Sequence, residues 1–117
     1  MLIVDDDPLV VRMLKMTFDL EGYKVTTASD GEEGLRRARE DKPDIILCDI
    51  MMPKLDGLAV TRALKADAAT KDIPIVLCSA KTSAADVELG KQAGADDYVT
   101  KPFQVKALAA RVAALLA

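Results

Sequence analysis

Residues 45–57 read IILCDIMMPKLDG, and the organisation of the whole chain can be inferred from this segment. Its first four residues are apolar without polar alternation, which predicts a strand buried on both faces, as in a parallel sheet. Asp49 follows where that strand ends, and Pro53 and Asp56-Gly57 mark the turn into the next element. Because open α/β sheets bind ligands at the carboxyl ends of their strands, Asp49 is a candidate site residue. Taken alone, it is better explained as a solvated residue that ends a strand.

The same succession of strand and helix extends in both directions from this stretch. We predict strands over residues 2–5, 23–28, 44–49, 75–78 and 97–100, and helices over residues 8–22, 31–41, 58–66, 84–94 and 105–115. Asp7, Asp30 and Ser83 are the predicted N-caps of the first, second and fourth helices. Five βα units in a row predict an α/β domain with one parallel sheet and helices on both faces. Residues 1–117 are expected to form one domain, and its abrupt ends are compatible with excision from a longer protein.

Composition excludes several classes of function. Sixteen basic and nineteen acidic residues give a net charge of −3, so the chain lacks the basic surface that direct nucleic-acid binding requires. The absence of His removes the commonest general base and metal ligand. Cys48 and Cys78 lie inside apolar runs and are expected to be buried thiols. No apolar run approaches the length of about 20 residues that a membrane span needs, and we expect a cytoplasmic protein.

The predicted strand ends share a set of residues that can perform chemistry. Asp5, Asp6, Asp49, Ser79 and Lys101 each follow or end a strand, so a parallel sheet would bring them to one edge. Clustered carboxylates repel one another unless a cation intervenes, and oxygen ligands without His favour Mg²⁺. A carboxylate can accept a phosphoryl group, and a lysine and a hydroxyl can bind its oxygens. The pattern therefore indicates phosphoryl transfer to a carboxylate.

These motifs resemble the receiver domain of bacterial two-component response regulators. The resemblance rests on VDDDP at 4–8, DIMMPKLDG at 49–57, SA at 79–80 and KPF at 101–103, and it covers the whole chain. It implies a flavodoxin-like (βα)5 sheet of strand order 2-1-3-4-5. It also implies a cis peptide bond before Pro102.

The resemblance implies a role for each residue at this edge. Asp49 would be the phosphoacceptor, and Asp6, Asp49 and the backbone carbonyl of Met51 would bind Mg²⁺ directly. Asp5 would belong to the metal shell, through a water molecule. The remaining implied roles are Lys101 and Ser79 as phosphate ligands, with Ser79 and Tyr98 as switch residues.

The implied partners are a sensor histidine kinase or phosphotransfer protein and an output domain or downstream protein. Phosphorylation would reshape the face formed by the fourth helix, fifth strand and fifth helix. A homodimer through that face is a further expectation, because Asp97 and Arg111 match one charged pair of dimerising regulators. Val87 and Ala107 replace the other pair with apolar residues, so only part of the pattern is present.

Three other functions fit parts of the pattern. A haloacid-dehalogenase-type phosphatase would need an acid two residues after its nucleophile, where this chain has Met51. A binding module that is never phosphorylated would typically lack the acids or the lysine. A flavin-binding protein would need a hydroxyl-rich loop where this chain has Asp5-Asp6-Asp7. We expect a switch with self-phosphorylation and autodephosphorylation rather than a turnover enzyme, and we expect slow decay because Met51 and Lys81 hinder the attacking water.

Overall fold

A computed structural model describes residues 1–81 and 83–117. The strands are β1 (Leu2–Val4), β2 (Thr26–Ala28), β3 (Ile46–Asp49), β4 (Ile75–Ser79) and β5 (Asp97–Thr100). The helices are α1 (Pro8–Leu20), α2 (Gly31–Asp41), α3 (Gly57–Ala66), α4 (Ala84–Ala93) and α5 (Val105–Leu116). All strand pairs are parallel, and the order β2-β1-β3-β4-β5 confirms the predicted topology.

The sheet separates two apolar cores. Alternate residues of each strand point to opposite faces, so Leu47 packs on the side of α1 and α5, and Ile46 packs on the side of α2 and α3. Phe18 and Leu108 complete the first core, and Leu64 belongs to the second. This double burial explains why the central strands are apolar without alternation.

Side chains at the helix starts agree with the predicted N-caps. Asp7 accepts a hydrogen bond from the backbone N–H of Leu9, and Asp30 and Ser83 accept corresponding bonds in their helices. The capping box of α2 departs from the standard pattern in one hydrogen bond. The Glu33 carboxylate accepts from the backbone N–H of Ser29 (2.8 Å), the residue before the N-cap, and not from that of the N-cap Asp30.

Two predicted strand starts were wrong. β2 begins at Thr26 instead of residue 23, because Tyr23 donates its backbone N–H to Phe18 at the end of α1 and packs edge-to-face on that ring. β3 begins at Ile46 instead of residue 44.

The two thiols are buried as predicted, on opposite faces of the sheet. Cys48 belongs to the core beside α2 and α3, and Cys78 to the core beside α1 and α5. In the described part of the chain, every helix is too short or too polar to cross a membrane.

Candidate functional site

Parallel strands bring the predicted site residues to one edge of the sheet. Asp5 directly follows β1, Asp49 ends β3, Ser79 ends β4 and Lys101 directly follows β5. The pairing register places Asp49 beside Cys78, and Ser79 beside Thr100. The backbone N–H of Lys101 donates to the carbonyl of Ser79 (2.7 Å), so the two strand ends are held together.

Three carboxylates converge at the centre of this edge. Asp5, Asp6 and Asp49 each offer an oxygen atom within 4.8 Å of the other two. Asp5 and Asp49 are buried, and Asp6 is exposed. A compact set of hard oxygen ligands with one side open to solvent fits a divalent cation that keeps some of its water. The cluster can therefore hold a metal ion.

Lys101 bridges two of these carboxylates. Its Nζ atom lies 2.8 Å from Oδ2 of Asp5 and 3.5 Å from Oδ1 of Asp49. Burial alone would lower the pKa of Lys101, but the hydrogen bond to Asp5 and the charges of Asp5 and Asp49 outweigh burial and raise that pKa. Lys101 is therefore a fixed positive charge, bound more closely to Asp5 than to Asp49. The sequence predicted its place at the site but not its preference for Asp5.

The surroundings of the Asp49 carboxylate destabilise its negative charge. Burial raises its pKa most, and the negative charge of Asp5 raises it further, whereas Lys101 opposes the shift. A buried carboxylate with too little positive charge nearby is stabilised by a bound cation, or by a bound group that carries a cation with it. This environment distinguishes Asp49 from an ordinary residue at the end of a strand.

The loop between β3 and α3 is held against Asp49. A Cβ at position 57 would collide with the carbonyl oxygen of Asp49, so only glycine permits this close approach. Asp56 caps α3 through the backbone N–H of Ala59 (2.8 Å), in agreement with its predicted role in the turn. Met51 lies in this loop with 60% of its surface exposed.

Ser79 and Tyr98 are linked through the backbone of Lys81. The N–H of Lys81 donates to Oγ of Ser79 (3.1 Å), and its carbonyl accepts from the hydroxyl of Tyr98 (2.9 Å). The Tyr98 ring lies against Gly90 of α4, where a Cβ would approach Cδ2 of the ring to 2.8 Å. Two hydrogen bonds and the backbone of Lys81 therefore connect Ser79 to Tyr98.

The charged pair expected at a dimer interface is formed within the chain. Arg111 of α5 donates to Oδ1 of Asp97 (2.8 Å) and to the carbonyl of Tyr98 (3.4 Å). Val87 is half-buried and Ala107 is exposed on the same face. The intramolecular pair satisfies Arg111 without a partner subunit.

The sequence interpretation missed an exposed apolar row on α1. Its members are Leu9, Met13, Met16 and Leu20, which we call the α1 stripe. They lie at spacings of four, three and four residues, so they share one helix face that turns away from the core. The sequence of α1 contains two rows of apolar residues at helical spacing. Only the fold shows which of these two rows packs against the sheet and which is exposed.

Comparison with known proteins places this geometry in a family. The sequence profile of the response regulator receiver domain matches residues 1–113, and the chain belongs to this family. Transcriptional regulatory protein PrrA of Mycobacterium tuberculosis is 49% identical over 115 residues, which are 98% of this chain and 48% of that protein. DNA-binding response regulator MtrA of Mycolicibacterium smegmatis is 46% identical, over 98% of this chain and 49% of that protein. The chain thus spans about half the length of these curated relatives.

Solved structures agree with the fold and its extent. A putative response regulator from Chloroflexus aurantiacus superimposes with a TM-score of 0.93 at 36% identity, covering 98% of this chain and 94% of that one. Chemotaxis response regulator CheY4 of Vibrio cholerae superimposes with a TM-score of 0.93 at 32% identity, covering 98% and 96%. The predicted fold and the resemblance to two-component response regulators are confirmed.

Proposed function

We propose that Asp49 accepts a phosphoryl group in a Mg²⁺-dependent reaction and that the domain acts as a phosphorylation switch. The observation that carries this proposal is the Asp49 carboxylate at the end of β3, buried beside Asp5 and Asp6 and 3.5 Å from Nζ of Lys101. A carboxylate in such surroundings can act as a nucleophile while nearby cations neutralise the phosphoryl oxygens.

The transfer forms one bond and breaks one. An Asp49 carboxylate oxygen attacks the phosphorus, the bond between the phosphorus and its leaving group breaks, and the electron pair departs with that group. Asp5, Asp6, Asp49 and the carbonyl of Met51 are the groups that would hold Mg²⁺, with Asp5 acting through water. When bound there, the ion supplies positive charge that offsets the charge of the phosphoryl oxygens.

Lys101 and Ser79 would bind the new phosphoryl group. Phosphorylation adds nearly two negative charges and new acceptor oxygens at Asp49. Lys101 can form an ion pair with the phosphoryl oxygens because its ammonium group already lies between Asp5 and Asp49. Ser79 can donate its hydroxyl once its Oγ turns from the N–H of Lys81 toward the acceptor.

The switch follows from the shared backbone of Lys81. If Ser79 moves toward Asp49, the segment that also accepts from the Tyr98 hydroxyl must shift. Tyr98 then loses its acceptor and turns inward, into space that Ser79 vacates. Such a change reshapes the surface of α4, β5 and α5, which is the surface we assign to an output domain or downstream protein.

The α1 stripe is the surface we assign to the phosphoryl donor protein. α1 begins at Pro8, two residues after Asp6 of the carboxylate cluster, so a partner bound along this helix could reach Asp49. An exposed row of large apolar residues beside a reactive site marks an interaction surface. We propose a sensor histidine kinase or a phosphotransfer protein as that partner, in the cytoplasm.

The related regulators include proteins named as DNA-binding response regulators, twice as long as this chain. By analogy, we propose that this domain controls an attached output domain and does not contact nucleic acid itself. Dimerisation through α4, β5 and α5 stays a prediction. It would have to replace the internal pair between Arg111 and Asp97.

Intact-mass measurement tests the proposed function. The protein is incubated with acetyl phosphate and Mg²⁺, in parallel with Asp49→Asn and with Asp56→Asn, a control change in a neighbouring acid that caps α3. We expect one phosphoryl group on the parent and on the control, no gain on Asp49→Asn, and loss of the reaction with EDTA. No gain on the parent under any of these conditions would favour the unphosphorylated binding module.

A further inference from the structure

A groove lined by several charged side chains adjoins the carboxylate cluster, along the open edge of the sheet. This groove of about 540 Å³ runs between α1 and α2 beside the carboxyl end of β2, the edge strand. Thr27 and Ser29 contribute to its wall. Asp5 and Asp6 form one end, so the groove opens directly from the carboxylate cluster.

Three cationic side chains line the groove. Arg12 and Lys15 belong to α1, and Arg37 belongs to α2. Lys15 already pairs with Asp19 at 2.7 Å, so its charge is partly neutralised. The cations that remain to bind a ligand are the two arginines, which approach the groove from opposite helices.

Arg37 has an unmet hydrogen-bonding requirement. Arg36 and Arg39 on the same helix pair with the carboxylates of Glu40 (3.3 Å) and Asp67 (3.6 Å). Among the described residues, by contrast, Arg37 has no carboxylate within 4.0 Å, and its Nε atom is shielded from water without a hydrogen-bond partner. A buried donor left unpaired is costly, so an acceptor that reaches the Nε–H of Arg37 from the groove would recover that energy.

The chemistry of these groups favours an oxyanion. A guanidinium presents parallel N–H donors that match two oxygens of a phosphate or sulfate, and the Nε–H of Arg37 is one such donor. The carboxylates of Asp6 and Glu33 offset the charges of the two arginines, because Asp5 is already paired with Lys101. A divalent cation on Asp5 and Asp6 would leave the groove with excess positive charge.

We propose that the groove between α1 and α2 is a binding site for a small phosphate-class oxyanion, held by Arg37 and Arg12. Inorganic phosphate and the phosphate group of a small molecule share this chemistry. Binding is cooperative with a divalent cation on Asp5 and Asp6, because opposite charges at adjacent sites attract and the coupling is reciprocal. The site is separate from Asp49, which does not line the groove.

Nuclear magnetic resonance can detect occupancy of the groove directly. Inorganic phosphate is titrated into the ¹⁵N-labelled protein at constant ionic strength, and the Nε–H signal of Arg37 and the amide signal of Ser29 are followed. We expect saturable shifts of both signals, and an affinity that rises severalfold when Mg²⁺ is present. The amides of Ser79 and Lys101 report separately on any phosphate bound at the Asp49 site.

Three variants on one helix distinguish a specific site from general electrostatic attraction. Arg37→Gln should weaken phosphate binding by about tenfold or more, the value of a charge-assisted hydrogen bond. Arg37→Lys should also weaken it, because the charge is kept but the Nε donor is lost. Arg36→Gln, which removes an exposed arginine of α2, should change the affinity less than twofold.

Three results would overturn the proposal. They are shifts that grow linearly without saturation, equal weakening by Arg36→Gln and Arg37→Gln, and saturable shifts confined to Ser79 and Lys101. Unchanged amide spectra in the variants without ligand confirm that the fold is intact. Phosphorylation measured by intact mass on the same samples shows whether the Asp49 site is functional, so failure of the groove and failure of the acceptor are distinguishable.

Discussion

Replacing Asp49 by Asn should stabilise the protein when no divalent cation is present. In the folded protein, the Asp49 carboxylate lies within 4.8 Å of the carboxylate oxygens of Asp5 and Asp6. At an effective dielectric constant of 20, a like charge at that distance costs about 3.5 kcal/mol, and Lys101 at 3.5 Å returns about 4.7 kcal/mol. Asp6 is exposed, so its repulsion is closer to the value of about 0.9 kcal/mol in water.

These charge interactions nearly cancel, and burial of the carboxylate remains as the unbalanced cost. Burial is also the main reason why the pKa of Asp49 is raised. Because the folded pKa lies above the unfolded one, stability is lost as the pH rises from the unfolded pKa through the folded pKa, and it stays lower at neutral pH. We expect Asp49→Asn to gain about 1 kcal/mol at pH 7, or roughly 4 °C in Tm.

Thermal unfolding followed by circular dichroism measures this effect. Saturating Mg²⁺ should raise the Tm of the parent above that of Asp49→Asn, since the variant has lost a metal ligand. Asp5→Asn is the matched control, and it should lower the Tm because Asp5 pairs with Lys101 at 2.8 Å and accepts the N–H of Asp7. An unchanged or lower Tm for Asp49→Asn at pH 7 without Mg²⁺ would mean that the buried Asp49 charge does not destabilise the folded protein.

Further predictions concern other parts of the domain. Burial raises the pKa of Cys78 to about 12, so this thiol should resist labelling at pH 8 until the protein unfolds; rapid labelling of the native protein would contradict this. Gly57→Ala should lower stability by about 1–3 kcal/mol in denaturant unfolding, because the added methyl group meets the Asp49 carbonyl. The phosphorylated form should decay with a half-life well above seconds, and Met51→Asn should shorten it; decay within seconds would count against shielding by Met51. Met16→Lys should slow phosphotransfer from a histidine kinase but not from acetyl phosphate, whereas Leu116→Lys, exposed on α5, should affect neither.

The sequence was most informative where a local pattern and the global fold agree. The apolar run before Asp49 and the caps Asp7 and Asp30 predicted the elements that carry the site, because burial on both faces and N-cap hydrogen bonds leave direct compositional signals. It was least informative at residues 23–25. There β-branched and aromatic types suggested a strand, but Tyr23 instead packs on the end of the first helix.

Contacts between distant residues could not be predicted from local patterns. The convergence of Asp5, Asp49 and Lys101 followed from the parallel topology, but the closer pairing of Lys101 with Asp5 depends on side-chain geometry. The same limitation applies to Arg37. Its sequence neighbours Arg36 and Arg39 are of the same type, and only their packing shows that they have carboxylate partners while Arg37 lines the groove.

Borohydride reduction can identify Asp49 as the phosphorylated residue, because the reagent converts an aspartyl phosphate to homoserine and leaves free carboxylates unchanged. After treatment with acetyl phosphate and Mg²⁺, reduction, proteolysis and fragment mass spectrometry, we predict homoserine at position 49 and aspartate at positions 5, 6 and 56. Homoserine at another of these positions, or aspartate at position 49 in a protein that has gained a phosphoryl group, would contradict the assignment.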